Sequence, residues 1–125
     1  MSHMNKPQVD LSFEICQQYL KSAVPPCTAT ADTPTHYECM AINGEAKHLF
    51  GYVVAHQHVV TLGFNEEIPE TDFKELVSER LRNMMNHNHR RLEIRNAEVV
   101  DLRQDIQDAC NKLLYYYNQI GWTQI

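Results

Sequence analysis

Apolar residues first recur at helical spacing over residues 10–24. Leu11, Ile15, Tyr19 and Leu20 share one face there, with Cys16 and Ala23 alongside. Asp10 or Ser12 can cap the start, and Pro25-Pro26 stops the hydrogen-bond ladder. Residues 25–35 hold Pro25, Pro26 and Pro34 among Thr and Ala, show no period, and read as a loop. The period then becomes two. Residues 36–42 read as a strand, and Asn43-Gly44 supplies the pair that best tolerates positive φ at the centre of a type I′ turn. A second strand is expected over 46–55 and a third over 59–64. With only His56-Gln57-His58 between them, the three form an antiparallel meander. A helix follows from Ile68-Pro69-Glu70-Thr71-Asp72, with acids in its first turn. Phe73, Leu76, Val77, Leu81, Met84 and Met85 make one apolar stripe on it. Residues 86–89 break the pattern, and 91–95 alternate as a short fourth strand. Asp101-Leu102-Arg103-Gln104 has capping-box spacing. From there Leu102, Ile106, Ala109, Cys110, Leu113, Tyr117 and Ile120 stripe a last helix, which Gly121 is placed to end.

The order α-β-β-β-α-β-α predicts an α+β fold in which an antiparallel meander and a fourth strand are covered on one face by helices. With 125 residues the chain fits one domain with a single core. Residues 1–8 read as an N-terminal tail containing a cloning remnant at Ser2-His3-Met4, and 9–125 as the domain.

Several strings resemble the YdhG-like family, a small α+β domain of unknown function with a frataxin-like shape. They are His58-Val59-Val60-Thr61-Leu62-Gly63-Phe64, then Arg90-Arg91-Leu92-Glu93-Ile94-Arg95, then the terminal helix ending near Gly121. The family string has His where Arg91 stands here, and the family's glycine-rich insert before that strand is missing. The resemblance implies the fold and lends no activity. A small domain of this kind also resembles the orphan products of mobile gene cassettes.

Charge narrows the function classes. A net charge of −5 and a pI near 5.7 argue against a nucleic-acid groove, which needs a basic face. No apolar run approaches a membrane span, and the polar start has no signal-peptide core, so a cytoplasmic protein is expected. Cys16, Cys27, Cys39 and Cys110 are scattered without a C-x-x-C, and read as reduced thiols.

Four of the seven histidines lie in His56-Gln57-His58 and His87-Asn88-His89. On one continuous strand, His56 and His58 would share a face and could chelate a metal. The commoner reading is a turn for the first patch and a polar loop for the second. His56, His58, His87 and His89 would make a metal site only if the two segments met. Arg90, Arg91 and Arg95, with Arg80 and Arg82 on the preceding helix, could receive a carboxylate or phosphate through the planar guanidinium fork. The plainer reading is a solvated face paired with Glu79, Glu93 or Glu98. Tyr115, Tyr116, Tyr117 and Trp122 cannot all face the core, because consecutive helix positions point about 100° apart. The remainder either packs ordinarily, lines a groove, or makes a homodimer contact through Tyr115, Tyr116 and Trp122.

No nucleophile elbow, phosphate loop or dinucleotide fingerprint occurs, and His36 and Cys39 would fall on opposite strand faces. No cofactor is implied. The expectation is a non-enzymatic module that binds a small molecule or a protein, through His58, Arg91, Arg95, Tyr52 and Trp122. The alternative is a metal-binding protein, or a metal-dependent enzyme, built on the histidine patches.

Overall fold

In the computed structural model, the residues described are 8–57, 59–85, 89–95 and 98–123. The elements are α1 (Gln8–Lys21), β1 (Thr28–Thr33), β2 (His36–Asn43), β3 (Ala46–Ala55), β4 (Val60–Phe64), α2 (Glu70–Leu76), α3 (Glu79–Met84), β5 (Arg91–Ile94) and α4 (Glu98–Gln119). The strands form one antiparallel sheet in chain order, β1-β2-β3-β4-β5, with α2 and α3 inserted before the last strand. The fold is therefore α+β, with the meander and covering helices expected from the pattern.

The register shows why one face of the sheet is buried. Tyr37, Val53, Leu62 and Leu92 stand opposite one another across β2 to β5, and all four are buried. Cys39, Gly51 and Phe64 make the next buried row, and Ala55, Val60 and Ile94 the row beyond Val53. α1 lies directly over β3: a Cβ at Gly51 would come within 2.7 Å of the Leu20 side chain. α4 adds Val99, Leu102, Ile106, Ala109, Cys110, Leu113 and Tyr117 to the same core. Fully burying each large apolar side chain is worth about 1.5–3 kcal/mol, so these rows fix both register and facing.

Four local expectations are corrected. Residues 28–33, expected in a loop, form edge strand β1. It is exposed along nearly its whole length (Thr-Ala-Thr-Ala-Asp-Thr), so no apolar alternation marks it. Backbone pairing with β2 holds it, together with the Thr30 hydroxyl bonded to the Glu38 carboxylate at 2.9 Å. The single helix expected over 68–85 is two helices. Val77 is extended (φ −122°, ψ 132°), and the Ser78 hydroxyl accepts the Leu81 amide, capping α3 afresh. The hairpin turn is centred on Gly44-Glu45, one position later than Asn43-Gly44. Asn43 remains in the ladder opposite Ala46, and its side-chain amide donates to the Gly121 carbonyl at 2.8 Å. Gly44 supplies the positive φ of 66°. The helix α4 also starts earlier than Asp101, at Glu98, whose carboxylate accepts the Arg95 amide at 2.7 Å.

Candidate functional site

The helices gather on the Tyr37–Leu92 side, so the alternate strand positions form an open face. Two cross-strand rows run over it. One is Glu38, Tyr52, Gly63 and Arg91; the other is His36, Val54, Thr61 and Glu93. Gly63 is the hinge of the first row. A Cβ built on it would lie 2.2–2.5 Å from two ring carbons and the hydroxyl oxygen of Tyr52. The ring therefore occupies the space that a side chain on β4 would take, which explains a glycine inside a strand. Arg91 stands one strand further on, roughly 5 Å away in the pairing direction.

Two clefts meet at Arg91. The first, about 330 Å³, is lined by Tyr52, Val54, His56, Thr61, Arg91 and Glu93. The second, about 420 Å³, runs along the β5 edge between Met84, Met85, Arg91, Glu93, Arg95 and Glu98. Most charges there are already engaged. Glu93 and Arg95 pair at 3.3 Å, and Glu98 receives the Arg95 amide. Arg91 has no hydrogen bond or ion pair with any other described residue. A larger cavity of about 510 Å³ lies between α1 and the β1–β2 turn, but its charged groups are only Glu14 and Asp32, and Asp32 accepts a bond from Gln17.

The arginines expected as one patch are dispersed. Arg80 bonds both Asp105 oxygens, at 3.1 and 3.2 Å, and the Asp101 carbonyl. Arg82 donates to the Val77 carbonyl. Arg90 lies 4.2 Å over the Phe73 ring and donates to the Asn65 carbonyl, tying the loop after β4 to α2. These three knit the structure together, because each is engaged with an acid, a carbonyl or a ring. Arg91 and Arg95 remain on the open face.

The expected aromatic cluster is also divided. Trp122 stacks on His48, with ring centroids 3.9 Å apart and planes 5° apart, and meets Tyr117 edge-on. His48 stands opposite buried Ala41, so Trp122 belongs to the helix-covered side, away from Tyr52 and Arg91. Tyr116 donates to Asp72 at 2.7 Å; partial burial and that bond push its phenol up to about 12. Tyr115 alone of the three points to solvent, at 66% exposure. The Tyr117 hydroxyl donates to the Leu49 carbonyl.

Of the histidine set, His58 and His87 lie outside the described residues. His56 lies beyond the Val60 end of β4, its amide bonded to the Val59 carbonyl, and lines the first cleft. His89 lies beyond the Phe64 end, paired with Glu66 at 3.5 Å. The length of β4, roughly 13 Å, separates them. Among the described residues no three His, Cys, Asp or Glu side chains are placed to hold a metal ion. All four thiols are buried, and burial pushes Cys16 and Cys39 up to about 12, Cys27 to about 11, and Cys110 up as well.

Val54, Thr61 and Gly63 complete the site without being marked as candidates by the sequence, and Glu93 is marked there only as an ion-pair partner. The available signal was Gly63 inside a strand, which marks close approach of another group. No helix among the described residues is long and apolar enough to cross a membrane. Compared with known protein families, with curated proteins and with solved structures, the chain matches none.

Proposed function

We propose that the chain is a non-enzymatic binding module that takes a small organic anion on the open face of its sheet, anchored by Arg91. The observation that carries this reading is a guanidinium with no partner among the described residues, at the junction of two clefts whose other charged groups are engaged. An arginine fork gives a carboxylate two parallel, charge-assisted bonds. Tyr52, Thr61 and His56 surround it with further polar atoms, and Val54 gives an apolar wall. The four thiols are buried and held protonated, so none of them offers a thiolate to this face.

Backbone NMR titration of the full chain with acetate, benzoate and inorganic phosphate tests this. At least one probe should shift the amides of Tyr52, Thr61, Gly63 and Arg91, and Arg91→Ala should weaken that response about tenfold or more. No shift at those amides with any probe, or an unchanged response in the variant, would overturn the reading.

A further inference from the structure

Resting on that reading, we propose that the ligand is a single-ring aromatic monocarboxylate, its carboxylate on Arg91 and its ring against Tyr52 and Val54. The charge comes first. Glu93 follows Arg91 by two residues on the same strand and face, roughly 7 Å along, and Glu38 begins the row that ends at Arg91. Arg95 neutralises Glu93, and Glu38 holds the Thr30 hydroxyl and lies 4.0 Å from His36. Arg91 is the one cation of the two clefts without an acid partner among the described residues, and a ligand with two negative charges would set its second against Glu93 and Glu38. The site suits a monoanion.

The shape of the cleft gives the rest. The Tyr52 ring is seated across Gly63 with its hydroxyl end toward β4, so an aromatic surface ends one strand short of Arg91. Val54 and Thr61, on the neighbouring row, supply apolar contact beside it. A carboxylate held on Arg91 and directed back along the row brings whatever it carries onto Tyr52 and Val54. A planar ring gains most there, because ring pairs are worth more than the area they bury. The volume of about 330 Å³ lies near the lower end for small-molecule sites, which fits one ring rather than a fused system.

Affinities of the unmodified full chain for benzoate, cyclohexanecarboxylate, acetate and inorganic phosphate, followed at the Gly63 and Arg91 amides, test the inference without any variant. Benzoate should bind about fivefold more tightly than cyclohexanecarboxylate, and more tightly still than acetate or phosphate. Tyr52→Leu should remove most of the advantage of benzoate over cyclohexanecarboxylate. Arg91→Lys, which keeps the charge and loses the fork, should weaken both. If cyclohexanecarboxylate, acetate or phosphate matches benzoate at these amides, the aromatic inference falls while Arg91 stands as an anion anchor. If none of the four moves them, both fall together.

Discussion

Gly63 is the residue on which the open face turns. Its missing side chain is replaced by the ring of Tyr52 from the next strand, so the two positions share one volume. Gly63→Ala must displace that ring. Because the ring sits on the open face and can swing aside, the expected cost is about 1 kcal/mol rather than the several of a core clash. In a Tyr52→Ala background the same change should cost close to nothing, and the non-additivity is measurable in a double-mutant cycle by urea denaturation. Additive losses would show that the ring does not occupy the glycine's place. At this scale the sequence was informative about type and poor about company. Tyr52 and Arg91 could be picked out as chemistry-bearing. Arg80, Arg82 and Arg90 looked the same by letter, yet Arg80 and Arg90 are spent on a carbonyl, a carboxylate or a ring that lies far away in the chain, and Arg82 on the Val77 carbonyl across the helix break. Trp122 likewise looked available and is stacked on His48, 74 positions earlier. Partners so distant in sequence leave no local pattern.

Among the elements, the break between α2 and α3 carries a network. Ser78 caps α3 and donates to Asp105 at 2.8 Å, while Arg80 bonds both oxygens of the same carboxylate. The Arg80 bonds hold the Asp105 carboxyl below the ordinary aspartate range; partial burial opposes this and the Ser78 hydroxyl assists it. A lowered native pKa gives stability that is complete above the unfolded value near 4 and lost as pH falls through the native value. Arg80 is half-exposed, so solvent screens the pair, and Asp105→Asn should cost about 1 kcal/mol at pH 7. That difference should shrink steadily below about pH 4, as the native carboxyl protonates in the wild type. Urea denaturation across pH 7 to 2.5, followed by the emission of the single tryptophan, measures it. A gap that stays constant with pH would contradict the network's ionic character. The helices and the strands β2 to β5 were legible because each carries an apolar face at its own period. The break was not, because Phe73, Leu76, Val77 and Leu81 fit one continuous helix by spacing alone. What decides it is a serine whose hydroxyl finds both a cap and an aspartate on another helix. β1 was hidden for the opposite reason: it buries almost nothing and is held by the backbone.

As a whole molecule, the protein is a five-stranded meander with α1 and α4 packed on one face and the other face left open. The α+β architecture follows from alternation in the strands and 3.6-residue stripes in the helices, and both were readable in advance. The site was half-readable, because a site on a sheet face depends on register. Arg91, Tyr52 and Gly63 are neighbours only because β3, β4 and β5 pair at these offsets. A one-residue slip would send every one of these side chains to the other face. The anion anchor proposed at Arg91 exists only in this register. Crystals soaked with 4-bromobenzoate test it most directly, because the anomalous signal of bromine locates the ring independently. Both carboxylate oxygens should lie roughly 2.7–2.9 Å from the Arg91 guanidinium, with the ring against Tyr52 and Val54. Bromine located elsewhere, with Arg91 unengaged at a saturating ligand concentration, would contradict it.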